Sequence, residues 1–171
     1  MISTNIKAFT IRKAGADDAA LILSFIRELA EYEKLSHEVV ATEELLEETL
    51  FGERHTAEVL IGEYQGSPVA FALFFHNFST FLGRPGIYLE DLFVKQVYRG
   101  KGLGRCMLAY LAHLARERGC SRLEWWVLDW NTPAIDFYRS MHATPMDEWT
   151  VFRITGESLV ELSHEFRLRG S

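Results

Sequence analysis

The amino-acid sequence predicts an α/β fold, a mixed central β-sheet flanked by helices, in the order β-α-α-β-β-β-α-β-α-β. Three stretches carry that expectation. Residues 57–75 hold two strand-like runs separated by Gln65-Gly66-Ser67, the pattern of a hairpin. Residues 87–118 pass from an apolar strand through a glycine-rich basic turn into a helix with apolar residues at the helical period. Residues 122–129 add another run dense in strand formers, including Trp125 and Trp126. The 171 residues suit one domain with a full core, and no repeat or linker marks a boundary. A single domain over 1–171 is therefore expected, with its core at about 9–155.

In chain order, residues 1–8 read as a short disordered lead, and Phe9 to Lys13 alternates well enough for a first strand. Asp17-Asp18 fall in the first turn of a helix that sets Leu21, Ile22, Phe25, Ile26 and Leu29 on one face. That helix ends near Tyr32-Glu33. Thr42 caps a second helix to Phe51, closed by Gly52, and its acidic face reads as solvated surface. Ala57–Tyr64 and Pro68–Phe75 are the hairpin strands. His76 to Gly86 contains Gly83, Pro85 and Gly86 and reads as a loop. Ile87–Val94 is the next strand, and the helix after the turn is capped near Gly119. Arg122–Asp129 forms a strand, and a short helix runs to about Met141, with Thr132 placed to cap and Pro133 at its first position. Glu148–Thr155 reads as a last strand, followed by a helix or strand over Leu159–Phe166.

Composition narrows the function. The net charge of −6 argues against general binding to nucleic acid or anionic membrane and suits a cationic substrate. Cys106 and Cys120 form no CxxC pair, so they read as reduced structural thiols of a cytoplasmic protein. The first ten residues hold no apolar leader, and no segment approaches a membrane span. The six histidines show no metal-ligand spacing, and no metal is expected.

The turn Arg99-Gly100-Lys101-Gly102-Leu103-Gly104 is an anion site by construction. The first amides of a helix lack intrahelical partners, and the helix dipole favours negative charge there. Glycines at 100, 102 and 104 let a phosphate reach the backbone, and Arg99 and Lys101 add charge. The GxxxxGK[ST] and GxGxxG phosphate loops both fail on spacing.

What remains resembles the Arg/Gln-x-x-Gly-x-Gly/Ala signature of the GNAT N-acetyltransferase superfamily, matched by Arg99, Gly102 and Gly104. The resemblance covers roughly residues 9–155. It narrows to the diamine (spermidine/spermine-type) branch through Glu28–Glu33, Tyr88–Val94, Tyr98–Gly104 and Trp130–Tyr138. It implies acetyl-CoA as co-substrate, with its pyrophosphate on Arg99, Gly100, Lys101, Gly102, Leu103 and Gly104. It also implies a backbone N–H of Leu92, Phe93 or Val94 at the carbonyl oxygen, Asn131 on the pantetheine arm, and Tyr138 beside the sulfur. Tyr32 and Glu33 match positions that line the acceptor site. A homodimer is implied as well, often through the C-terminal strand, and the apolar Val151-Phe152 region permits one.

Acetyl transfer from a thioester to an amine needs the amine deprotonated, the carbonyl oxygen stabilised and the thiolate protonated. An amine of pKa near ~10 arrives charged at neutral pH. Glu90 is the candidate base, because an apolar strand would desolvate it and raise its pKa. It could act directly, through water, or only as an anchor for the cation. Asp91 is expected on the opposite sheet face, with a lesser part in acceptor binding. Tyr138 is the candidate acid, since a phenol can give a proton to a thiolate and recover it. Glu33 would meet a second ammonium. No residue looks like a covalent nucleophile, with Cys106 expected to pack against the sheet, so direct attack in a ternary complex is expected.

Two departures bear on the acceptor. His142 stands where the family has a glycine in a left-handed helix cap. Phe81, followed by Gly83-Arg84-Pro85, stands where the spermidine/spermine enzymes carry a tryptophan. The acceptor is therefore a polyamine, diamine or thialysine-like amine. Acetylation of protein amines, or a non-catalytic acyl-CoA sensor, are the competing functions.

Overall fold

Alternation along the strands builds the sheet first. In the computed structural model, which describes residues 1–166, six strands stand in the spatial order β1-β2-β3-β4-β5-β6. These are β1 (Ile2–Ser3), β2 (Phe9–Lys13), β3 (Glu58–Tyr64), β4 (Ser67–Ser79), β5 (Arg84–Val94) and β6 (Leu123–Trp125). Every neighbouring pair is antiparallel except β5–β6, which is parallel. The sheet is thus mixed, as the sequence predicts. Of the single-domain span, residues 167–171 lie outside the described residues. The described chain falls into two compact units, Met1–Trp126 and the part from Val127 onward.

In the first unit, α1 (Ala19–Glu33) and α2 (Glu43–Phe51) cover one face of the sheet. Ile22, Phe25, Leu46 and Leu50 are buried there against Val59, Ile61, Phe71 and Phe93. Phe25 stacks on Phe71 with ring centres 5.2 Å apart and meets Phe93 edge-on at 6.3 Å. Each such ring contributes roughly 1.5–3 kcal/mol by burial. The third helix, α3 (Leu103–Glu117), packs on β4, β5 and β6 and buries Leu103, Met107, Leu111 and Leu114. That is the face its periodicity assigns to the core.

Local chemistry sets the helix ends. Thr42 Oγ1 accepts from the Leu45 N–H at 3.2 Å, the expected cap of α2. Asp18 does more than complement a dipole: its carboxylate takes the Arg12 guanidinium at 2.7 and 2.8 Å and the Gly15 N–H at 2.9 Å. That guanidinium holds the Asp18 carboxyl below the usual range. At its far end, α3 closes with Gly119 at φ +68° and is tied to β3 by an Arg118–Glu58 fork.

Several expectations are corrected here. The N-terminal lead is ordered: Ile2 and Ser3 pair with Ile11 and Thr10, and Thr4 Oγ1 donates to the Phe9 carbonyl at 2.7 Å. The expected loop at 76–86 is mostly strand. Phe78 pairs with Pro85 and Ser79 with Arg84, so only residues 80–83 turn. Pro85 and Gly86 act here as strand residues. A side chain at Gly86 would run into Asn77 Oδ1 and reach 2.8 Å from Arg122 Cγ. Cys106, half-buried on α3, lies with its Sγ 4.0 Å from Asn5 Oδ1, just past β1. β6 is three residues long, shorter than the expected 122–129.

In the second unit, α4 (Thr132–Arg139) and α5 (Gly156–His164) are helical. Asn131, not Thr132, caps α4, its Oδ1 accepting from the Ala134 N–H at 3.4 Å. His142 does adopt the left-handed conformation, φ +63°, and the Ala143 N–H reaches the Tyr138 carbonyl at 3.2 Å. The expected strand at 148–155 has no ladder partner among the described residues, and Val151, Phe152 and Ile154 are exposed.

Gly62 supplies a direct test of the packing. A Cβ at this buried β3 position would lie 2.8 Å from Phe9 Cζ and 3.1 Å from Ala70 Cβ. Gly62→Ala should cost about 1–3 kcal/mol, visible as a Tm drop of several degrees in thermal denaturation. An unchanged Tm would mean that the Phe9 ring moves aside freely.

Candidate active site

The site begins with one extra residue in β5. Leu73 pairs with Asp91 and Phe74 with Leu89, which leaves Glu90 without a partner in β4, a β-bulge. The bulge breaks the alternation on which the expected opposite placement of Glu90 and Asp91 depended. Leu89 is buried, Glu90 is exposed and Asp91 is half-buried. Glu90, expected to be enclosed by the apolar strand, is exposed, and it is Asp91 that the fold desolvates. Burial, reinforced by the negative charges of Glu90 and Glu33, pushes the Asp91 carboxyl up to about 6.

Glu33 enters from the end of α1. Burial raises its carboxyl as well. The chain passes Glu33 into Lys34 at φ +63°, a left-handed cap whose N–H closes on Glu31 at 3.1 Å. The structure thus brings both Glu33 and Glu90 into electrostatic reach of Asp91. Among the described residues none of the three forms an ion pair with a cation. Three carboxyls sharing a partly dry place repel, and that repulsion is relieved either by a proton or by a cation. Tyr32, next to Glu33, is 37% exposed, so this end of α1 faces outward.

β5 also parts from its neighbour here. Pairing with β6 covers only Ile87–Leu89 against Leu123–Trp125. From Glu90 to Val94 the edge of β5 away from β4 carries no strand among the described residues, so the amides of Leu92–Val94 that face away from β4 have no ladder partner there. Phe93 itself is buried in the core and anchors that edge.

The turn after β5 keeps its donors free. Gly100 and Gly102 hold φ of +77° and +79°, a conformation that L side chains rarely adopt. A Cβ at Gly100 would meet nothing within 4 Å, and one at Gly102 only Ile6 Cδ1 at 3.6 Å. The first helical bond of α3 is Cys106 N–H to the Gly102 carbonyl at 3.0 Å. The N–H groups of Leu103, Gly104 and Arg105 therefore point out of the helix end without backbone partners among the described residues. Lys101 is exposed beside them, while the Leu103 side chain is core. The donors, the open space and the dipole fit a phosphate-bearing group.

Arg99, at the start of the turn, also reaches toward α1. Its guanidinium stacks on the Tyr32 ring at 4.3 Å, and its Nε donates to the Val94 carbonyl at 3.0 Å. Asn131 and Tyr138 belong to the second unit, where Asn131 is buried and the Tyr138 ring tilts against Phe137 at 5.4 Å. Among the described residues no group of His, Cys, Asp and Glu is arranged to hold a metal, and no helix is long and apolar enough to cross a membrane. Sequence reasoning missed the Lys95 tie to α1, Nζ to Glu28 at 3.2 Å. An isolated lysine after a strand gives no signal of that contact.

Comparison with known proteins agrees with this architecture. Residues 24–143 match the model of the acetyltransferase (GNAT) family. A thialysine N-epsilon-acetyltransferase of Bos taurus is 42% identical over 164 residues, covering 90% of this chain and 96% of its own. An L-ornithine N5-acetyltransferase of Arabidopsis thaliana is 32% identical, with 87% and 85% covered. Among solved structures, an integron cassette protein from the mobile metagenome of V. cholerae superposes with a TM-score of 0.78 at 26% identity, covering 91% of this chain and 98% of that one.

Proposed function

Because the chain belongs to the GNAT acetyltransferase family and is an N-acetyltransferase, we propose that it moves an acetyl group from acetyl-CoA to the primary amine of a small cationic acceptor. One observation carries the acceptor: Glu33, Glu90 and Asp91 gather without a counter-cation, and Asp91 is driven to about 6. A compact ammonium compound relieves that repulsion, and one with two charges uses Glu33 as well. The relatives' own names point to ω-amines of basic amino acids, thialysine and ornithine. A thialysine-like amine is therefore preferred over a polyamine.

Acetyl-CoA, when bound, supplies the acetyl group as a thioester. The chain's part is the rest. The amides of the glycine turn and Lys101 hold the anionic end. An open amide of Leu92, Phe93 or Val94 stabilises the carbonyl oxygen as it gains charge. Glu90, exposed at the bulge, takes the ammonium proton, directly or through water, while Asp91 and Glu33 anchor the cation. Asn131 holds the pantetheine arm, and Tyr138 gives the thiolate its proton. The amine attacks directly, in a ternary complex and within one domain. The exposed Val151, Phe152 and Ile154 support a homodimer through the C-terminal segment. The two free cysteines suit the cytoplasm.

Thiol release from acetyl-CoA, measured against thialysine, ornithine, lysine, putrescine, spermidine, spermine and a lysine peptide, tests this directly. Turnover should appear with the small amines and be greatest with thialysine or ornithine. Turnover confined to the peptide would establish a protein acetyltransferase instead. Acetyl-CoA binding without turnover on any amine would favour a sensor.

A further inference from the structure

Arg99 opens the anion turn, yet its side chain is shared with the acceptor side. The guanidinium lies 4.3 Å from the centre of the Tyr32 ring and 5.5 Å from that of Phe93. Its Nε donates to the Val94 carbonyl at 3.0 Å, and no hydrogen bond among the described residues takes its two Nη groups. The partners come from both halves of the site. Tyr32 ends α1 beside Glu33, and Phe93 and Val94 lie on the open edge of β5. An arginine loses much rotamer freedom when it binds an anion from a free state. Here a ring, a second ring and a carbonyl have already removed that freedom, and the Nη groups stay available.

Lys95 shows what a plain tether looks like. Its Nζ is 3.2 Å from Glu28 and 5.3 Å from the centre of the Phe25 ring, so it ties α1 to the same connection one turn earlier. Its partners on α1, Glu28 and the buried Phe25, lie one and two turns before Tyr32.

We infer that Arg99 is a positioning residue held in common by the two ligand sites: Tyr32 and Phe93 keep it ready for the cofactor's anionic group, and it keeps Tyr32 in place for the amine. The inference rests on the N-acetyltransferase reading of the turn and the carboxyl cluster. Coupling between binding sites is reciprocal. Removing Tyr32, which is no part of the turn, must therefore weaken the cofactor, and removing Arg99 must weaken the amine.

Calorimetric titration of acetyl-CoA, which needs no turnover, compares wild type with Tyr32→Leu, Arg99→Ala, the double variant and Lys95→Met at one ionic strength. Tyr32→Leu should weaken acetyl-CoA roughly 2- to 5-fold, the size expected of one cation–π contact. The same change in the Arg99→Ala background should have almost no effect. At saturating acetyl-CoA, Arg99→Ala should raise the acceptor KM by a similar factor. Independent, multiplying effects in the double variant would overturn the shared role. So would an unchanged cofactor affinity in Tyr32→Leu, or an equal loss in Lys95→Met, which would mark mere loosening of α1. A wild-type chain that binds no acetyl-CoA would overturn both the inference and the functional proposal. Binding without coupling would overturn the inference alone.

Discussion

Tyr138→Phe should abolish most turnover while leaving acetyl-CoA affinity unchanged. General acid catalysis by a positioned group contributes typically 10²–10⁴-fold, so kcat should fall by about 10²-fold or more. The substitution separates the two roles a half-buried tyrosine can have. Packing needs the ring, which tilts against Phe137 at 5.4 Å, and the ring is kept. Proton donation needs the hydroxyl, which is lost. Thiol-release kinetics together with calorimetry of acetyl-CoA binding make the check. Full turnover in the variant would end the acid role and leave Tyr138 a packing residue.

Asp91→Asn should act on the acceptor and, with opposite sign, on stability. A charged hydrogen-bonded contact is worth about 1.5–3 kcal/mol, so the acceptor KM should rise roughly 10- to 100-fold. In the wild type the acceptor KM should rise as pH falls through about 6, where Asp91 takes up its proton. The variant should lose that inflection. For stability, the folded pKa of about 6 stands above the ordinary 3.8, so the folded protein keeps a proton that the unfolded chain has released. Stability from this group is full below about pH 4 and is lost as pH rises through about 6, a cost of about 3 kcal/mol at pH 7. Asp91→Asn should therefore raise Tm at neutral pH, and the gain should vanish near pH 4. A variant with wild-type acceptor KM and no gain in Tm would move the anchoring role to Glu33 and Glu90.

That burial would raise the Asp91 carboxyl could not be read from the chain order. Strict alternation is a property of a regular strand, and a bulge depends on how β4 and β5 meet, not on Tyr88–Val94 alone. The same reason hid the long hairpin. Pro85 and Gly86 read locally as breakers, but pairing with Phe78 and Asn77 and the tight approach of Asn77 override them. Features with a local cause were legible: the Thr42 cap, the apolar face of α3 and the open glycine turn, whereas His142 left two helix endings possible and the structure takes the left-handed one. The segment 148–155 has strand-like composition, yet a strand needs an edge to pair with, and composition names none. Arg99 was legible as a charge. That its planar face would rest on a tyrosine 67 positions earlier was not.

The free edge of β5 beyond Leu89 has a consequence for inhibition. The backbone amides to which the proposed mechanism gives the carbonyl oxygen are the same amides that another strand would seek to pair with. Any change that lengthened β6 along Glu90–Val94 would make the sheet more stable and the enzyme less able to work, an opposition of stability and activity written into the main chain. An extended peptide mimic with a carboxylate-binding ammonium arm would recognise both the vacant ladder and the acidic trio. It would add itself as a strand in the place that the proposed mechanism needs open.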